Sequence, residues 1–467
     1  MTERLPKGFV LGAATAAYQI EGAAHDDGRG PSIWDTMSHT PGRIKDGSTG
    51  DVACDHYHRW REDVDLMAGL GLDAYRLSIS WPRVQPGGSG PLNLKGVAFY
   101  RSLLTALRDR GIAPWVTLYH WDLPQELEDR GGWRARQTAT AFAEYARLMA
   151  REFGDLVEVW TTLNEPWCSA FLGYGSGVHA PGVVDAAGSL TAAHHLNLAH
   201  GLAATTIREE LPGAQVAITL NLHVTRPADP VLASDRDAVR QIDLLGNEVF
   251  LGPLLEGRYP ADLVSLTSGI TDWGFVLPGD LDSIGQPLDL LGVNYYSTQT
   301  VRRNPDPTAD RTGGHAVGQG SPWPGADEVE FLAPSPPLTE MGWNIEPTGL
   351  SEVLTGVARR FPGLRLAVTE NGAAFPDLVE DGEVHDPRRI DYVREHLGEV
   401  AKVAADGVPV EAYFLWSLLD NFEWSHGYTK RFGIIHVDYE TGARTPKDSA
   451  HWYAALLRSR PQAPGQG

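Results

Sequence analysis

Short apolar, β-branched or aromatic runs alternate with loops and amphipathic stretches along most of the chain. They cover residues 9–11, 74–81, 112–119, 157–163, 215–222, 288–296, 366–369 and 410–416. Near-continuous apolar strands separated by helices signify a parallel sheet covered on both faces. Eight such units predict an α/β fold of the (β/α)8 TIM-barrel type. The helices between them carry their own signals. Asp55 is placed to cap a helix with Trp60, Val64, Met67 and Ala68 on one face and Gly69 and Gly71 near its end. Residues 94–110, closed by Gly111, residues 139–153 and residues 190–210, ending before Pro212, read as further helices.

One connection breaks the rhythm. Residues 302–347 are rich in Pro and Gly and show little periodicity. A loop this long is usually functional or disordered. Following a barrel strand, it falls on the catalytic face, and we read it as a substrate-covering insertion, with an ordinary surface excursion as the competing reading. Residues 9–17, behind Arg4 and Lys7, have some features of a signal peptide, but the apolar run is short and interrupted by glycine. They read better as a buried first strand. No internal repeat or linker divides the chain. Its 467 residues would give about three domains at roughly 150 residues each, but a barrel with insertions can exceed about 400 residues as one domain. The expectation is one catalytic domain over 1–467.

Composition narrows the function. Asp plus Glu number 60 against 39 Lys plus Arg, a formal charge of −21. That argues against nucleic acid or an anionic membrane surface as the partner. A hydrophobic share of 42% supplies a sizeable core and excludes wholesale disorder. Two cysteines, Cys54 and Cys168, cannot make a disulfide framework and fit a cytoplasmic protein. No run reaches the roughly 18 apolar residues of a membrane helix. Fourteen Trp offer flat apolar faces with one donor each, a surface that suits sugars and equally fills a large core.

The active site of such a barrel lies where its strands end. Tyr18-Gln19-Ile20-Glu21 follows the first run, and Arg76 lies in the second. The third ends in His120-Trp121-Asp122, the fourth in Asn164-Glu165-Pro166 and the seventh in Glu370-Asn371-Gly372. The sixth holds Asn294, Tyr295 and Tyr296; Trp416 and Asp420-Asn421-Phe422-Glu423-Trp424 close the eighth. Glu165 and Glu370 end strands three apart around a ring of eight, so they can face each other across its mouth. Glycoside hydrolysis needs such a pair, one carboxyl protonated and one ionised. Burial and like-charge repulsion can hold one protonated near neutral pH.

These segments resemble glycoside hydrolase family 1 over residues 5–453. Thr162-Leu163-Asn164-Glu165-Pro166 and Val368-Thr369-Glu370-Asn371-Gly372 look like its two active-site motifs. The opening Phe9-Val10-Leu11-Gly12-Ala13-Ala14-Thr15-Ala16-Ala17-Tyr18-Gln19-Ile20-Glu21-Gly22 and the late Trp416-Ser417-Leu418-Leu419-Asp420-Asn421-Phe422-Glu423-Trp424 are similar to that family's ends. Within the family, the resemblance is to bacterial β-glucosidases of actinobacterial type. Departures are small: Met37 stands where Phe is common and Val368 where Ile is frequent.

The resemblance implies a retaining β-glucosidase with Glu165 as general acid/base and Glu370 as nucleophile, their carboxyls about 5–5.5 Å apart. It implies that Arg76 and Tyr296 contact Glu370 and that Asn164 binds the sugar 2-hydroxyl. Gln19, His120, Glu423 and Trp424 would hold the other hydroxyls over Trp416. Trp121, Asn294 and Phe432 would line the wall, and Trp343 would be an aglycone platform or a loop anchor. Implied substrates are cellobiose, short cello-oligosaccharides and aryl or alkyl β-glucosides, with transglycosylation and β-galactoside or β-fucoside cleavage as side activities. A 6-phospho-β-glycosidase is disfavoured because Glu423 would repel a phosphate, with Lys430 read as a structural partner of a Glu beside it. A non-catalytic sugar-binding protein is disfavoured because both glutamates are present. No organic cofactor is expected. Neither is a metal: Asp51, Cys54, Asp55, His56 and His58 match no zinc spacing, and His194, His195 and His200 do not share one helical face.

Overall fold

The computed structural model describes residues 5–315 and 320–460. Eight strands close into a parallel barrel. They are β1 (Val10–Ala14), β2 (Ala74–Ser78), β3 (Ala113–Tyr119), β4 (Val159–Asn164), β5 (Gln215–Leu220), β6 (Leu290–Asn294), β7 (Leu366–Asn371) and β8 (Val410–Trp416). Each pairs with its neighbours in chain order, and β1 closes on β8 with Ala14 opposite Trp416. All eight runs legible in the sequence are barrel strands. Residues 9–17 supply β1, as the interrupted apolar run predicted.

Around the barrel lie α1 (His56–Leu70), α2 (Leu94–Asp109), α3 (Arg136–Phe153), α4 (Ala186–Glu210), α5 (Ala233–Asp243), α6 (Pro347–Arg360), α7 (Pro387–Ala405) and α8 (Asp448–Arg458). Asp55 precedes α1 but does not cap it with its side chain. Its backbone is left-handed, φ 53°, and its carboxylate accepts from His58 Nδ1 at 2.6 Å instead. His194 and His195 are tied to Asp280 and the Trp133 carbonyl, and His200 to Thr162. These three histidines of α4 are packing residues.

The barrel interior is packed, and two close approaches demand glycine. A Cβ on Gly12 would lie 2.5 Å from the Ala74 carbonyl oxygen and 2.7 Å from the Phe414 ring. Gly12 thereby makes room for the inward stack of Phe414 on Trp115, with centroids 4.8 Å apart. A Cβ on Gly372 would meet the Trp416 carbonyl oxygen at 1.7 Å, so the residue two beyond Glu370 must be Gly for β7 to run against β8.

The long 302–347 connection is more ordered than its composition suggested. Thr298–Arg303 pairs with Val224–Pro227 on one side and with Val329–Phe331 on the other, a small sheet outside the barrel. Val329–Phe331 is too short for an alternation to show in sequence.

Below the last strand's exit lies a buried ion cluster. Lys447, wholly buried, donates to Asp377 and to Asp420 Oδ1 at 2.8 Å. Arg389 binds Asp377 and Asp386, and Arg431 binds Asp420. Asp420 begins the segment that ends in Glu423 and Trp424, so the cluster fixes one wall of the site. Breaking a buried pair from one side leaves uncompensated charge. Lys447→Met should therefore destabilise by about 3 kcal/mol, read by urea denaturation, and should also raise KM because Glu423 and Trp424 lose their anchor.

Candidate active site

Glu165 stands at the exit of β4 and Glu370 is the penultimate residue of β7; both are buried. One hydrogen-bond network joins them. Arg76, on β2, donates to Glu370 Oε1 at 2.6 Å and to Asn164 Oδ1 at 2.6 Å. Asn294, at the end of β6, donates to the same Asn164 oxygen at 3.1 Å and to Glu165 Oε1 at 2.6 Å. The Thr369 hydroxyl donates to Asn294 Oδ1 at 2.7 Å. That contact fixes the amide with its NH2 toward Glu165. Tyr296 OH donates to Glu370 Oε2 at 2.7 Å.

The two carboxyls differ in environment. Glu370 is held by a guanidinium and a phenol. The Tyr296 phenol is pushed well above its usual range, by burial first and then by the Glu370 charge, so it remains a donor. Glu165 has no cation in direct contact. Burial, then the Glu370 charge, raises its pKa, outweighing donation from Asn294 and Cys168. The structure thus sets a carboxyl with a raised pKa beside one held by a guanidinium and a phenol, the asymmetry that paired acid and nucleophile chemistry uses.

His120, Trp121, Trp416, Glu423, Trp424 and Phe432 line one cavity with the two carboxyls, and Gln19 abuts it through Glu423. Gln19 Nε2 donates to Asn421 Oδ1 at 2.9 Å and to Glu423 Oε2 at 3.4 Å. Its Oε1 is buried without a partner among the described residues. His120 accepts at Nε2 from Asn164 Nδ2, 3.0 Å away, which leaves its proton on Nδ1, also buried and unpartnered. Burial and then Arg76 push the imidazole well below its usual pKa, so it is neutral. An acceptor on Gln19 and a donor on His120 therefore await polar groups. Trp416, Trp121 and Trp424 give the pocket aromatic walls, with Trp121 and Trp424 centroids 4.5 Å apart. Glu423 is pushed up to about 8 by burial, then by the charges of Glu370 and Glu165. At neutral pH it can therefore donate as well as accept.

Trp121, Glu165 and Trp424 all have positive φ, at 77°, 44° and 49°. Side chains rarely adopt this region, and such strain gathers at functional sites. Here it turns three strand exits so that their side chains point into one cavity. Trp343 joins them from the 302–347 connection, its ring 5.4 Å from Tyr296 and 6.3 Å from Phe432 by centroid.

Other residues reached the site unannounced by their sequence. Asn221, just past β5, lines the pocket, as do His179, His223, His315 and His426. Asn221 had a signal, its place at a strand exit. The histidines come from loops far apart in sequence and had none. Lys430 pairs with Glu340 rather than Glu423: its ammonium donates to the Glu340 carbonyl at 2.7 Å, with Oε1 at 3.8 Å. That loop contact keeps it out of the lining of the cavity. Glu21 binds Arg83 and Tyr100 and serves the scaffold. Asp51, Cys54, Asp55, His56 and His58 do not form a centre. Among the described residues, no group of three or more His, Cys, Asp or Glu is arranged to hold a metal ion. No helix there is long and apolar enough to cross a membrane.

Comparison with known proteins agrees with this fold. A family model described as glycosyl hydrolase family 1 matches residues 1–461. A bifunctional beta-D-glucosidase/beta-D-fucosidase of Bifidobacterium breve is 51% identical, covering 98% of this chain and 99% of that protein. Beta-glucosidase A of Thermotoga maritima is 44% identical, covering 98% of each. Among solved structures, a psychrophilic beta-glucosidase from Micrococcus antarcticus superposes with a TM-score of 0.94 at 47% identity, over 98% of each chain. With an end-to-end family match and a closed barrel bearing both glutamates at its mouth, the chain belongs to glycosyl hydrolase family 1.

Proposed function

We propose that the chain is a retaining β-glucosidase that releases terminal, non-reducing β-D-glucosyl residues. The observation that carries this is the contrast between the carboxyls: Glu370 is held by Arg76 and Tyr296, while Glu165 meets only neutral donors. Glu370 attacks the anomeric carbon as the C–O bond to the aglycone breaks. Glu165 gives its proton to the departing oxygen. A glycosyl ester on Glu370 results. Glu165, now a carboxylate, takes a proton from water as that water attacks the same carbon. Glucose leaves with β configuration, and both side chains return to their starting states. A sugar hydroxyl in place of water gives transglycosylation.

Asn164 is suited to the 2-hydroxyl, a contact that tightens in the oxocarbenium-like transition state. Gln19, His120, Glu423 and Trp424 serve the other hydroxyls, and Trp416 the ring face. Trp121, Asn294 and Phe432 close the wall. Trp343 and the 302–347 connection bound the aglycone side. Cellobiose, short cello-oligosaccharides and aryl or alkyl β-glucosides are the substrates proposed, within cellulose breakdown and carbohydrate metabolism. β-Fucosides are proposed as well, in line with the name of the Bifidobacterium relative. The 6-phosphosugar reading loses support because Lys430 is engaged by Glu340, although Glu423, pushed up to about 8, repels a phosphate less than its residue type suggested. We also propose a cytoplasmic location, supported by two buried, unpaired thiols.

The test is proton NMR of an aryl β-glucoside in D2O. β-Glucose appearing first supports the reading; α-glucose first, or no turnover, overturns it. The pH dependence follows from Glu165. Its raised pKa keeps the acid protonated past the ordinary Glu value of about 4.3. In kcat/KM, activity should persist through neutral pH and fall only as rising pH removes that proton.

A further inference from the structure

Beyond β4, Pro166 and Trp167 lead into a wide-turn (π) helical segment, Cys168–Ser176, buried throughout. Such segments gather at functional sites. Its first side chain points back to the site: Cys168 Sγ lies 3.2 Å from Glu165 Oε2. Asn221 Nδ2 also reaches the sulfur, at 3.6 Å. Burial first, and then the Glu165 charge, holds the thiol well above its usual pKa, so it keeps its proton. A protonated thiol beside a carboxylate is a donor rather than a nucleophile. A small buried Cys ordinarily just fills space. This one sits between a donor and an acceptor, and the acceptor is the carboxyl that moves protons.

We propose that Cys168 is a positioning residue for Glu165: its thiol, seated by Asn221, donates to Oε2 and favours the carboxylate that activates water in the second step. The inference rests on the reading of Glu165 as acid/base. Asn294 holds Oε1 and Cys168 holds Oε2, so the plane of the carboxyl is fixed by two donors on different strand exits. A donor to the charged form favours that form. Removing it should raise the Glu165 pKa and free the carboxyl plane, so that the carboxylate is worse aimed at the attacking water while the acid role is spared.

The experiment compares Cys168→Ala and Cys168→Ser with the parent enzyme on two substrates. With 2,4-dinitrophenyl β-glucoside the leaving group needs no proton, so hydrolysis of the glycosyl ester limits kcat. There, Cys168→Ala should lower kcat about 5-fold, with KM falling in proportion and kcat/KM little changed. On cellobiose, the basic limb of kcat/KM should move up by about half a pH unit. Cys168→Ser, with a stronger donor, should restore both. Two results would overturn the proposal: Cys168→Ala leaving kcat, KM and the limb unmoved, or Ala and Ser losing activity alike with no shift of the limb. Glu165→Ala, run alongside, separates the two levels. If its loss does not depend on the leaving group, the acid/base reading itself fails, whatever the Cys168 variants do.

Discussion

Glu370→Ala should lower kcat by about 10⁵-fold or more on every β-glucoside tested, good leaving group or poor. The covalent step has no other candidate nucleophile within the network. Arg76 loses its 2.6 Å carboxylate partner and Tyr296 its 2.7 Å acceptor. A buried guanidinium would then face only the Asn164 oxygen and the Thr369 carbonyl. Some loss of stability should accompany the loss of activity, and circular dichroism separates the two. Azide gives a second readout. It can enter the space vacated by the carboxylate and attack the anomeric carbon from that face. The product should be the α-glucosyl azide, identified by its anomeric coupling. A variant that keeps more than about 1% of parental kcat would move the nucleophile elsewhere, since such a role carries many orders of magnitude.

Glu165→Ala should produce a loss that depends on the aglycone. Cellobiose, whose leaving alkoxide must be protonated, should lose about 10²- to 10⁴-fold in kcat/KM, the span of general acid catalysis. A 2,4-dinitrophenyl β-glucoside should lose less than about tenfold in kcat/KM, because that phenolate departs unaided. Its kcat should still drop, since no base activates water, and KM should collapse with it as the glycosyl ester accumulates. Azide, needing no base, should restore kcat and yield the β-glucosyl azide. The basic limb of the pH profile should vanish with the residue that causes it. Opposite azide anomers from the two variants place the carboxyls on opposite faces of the sugar.

Much of this arrangement was legible in the sequence because parallel barrel strands are buried on both faces and read as continuous apolar runs. Their exits then mark the catalytic rim, which is why Arg76, Glu165, Asn294, Tyr296 and Glu370 fall into one network. Side-chain pairings across loops were less legible. Nothing local to Lys430 shows that it reaches Glu340 in the 302–347 connection. Asp55 has the residue type of a cap, yet a left-handed backbone turns its carboxylate onto His58. Asn221 occupies a strand exit like its partners but lies outside any recognisable motif. Cys168 lies only three residues past Glu165 in the sequence. Its contact with Glu165 depends on the positive φ of Glu165 and the π-helical path that follows, neither of which composition or periodicity encodes.

The most direct test of the central claim is to trap the glycosyl ester. The protein would be incubated with a 2-deoxy-2-fluoro-β-glucoside bearing a good leaving group. The fluorine slows both steps, and the leaving group restores the first, so the ester accumulates. Peptide mapping by mass spectrometry would follow, with an ordinary aryl β-glucoside as the turnover control. The account predicts one fluoroglucosyl unit, carried on the peptide containing Glu370. A label on any other residue, or an unlabelled protein that nevertheless turns over the control, would contradict it.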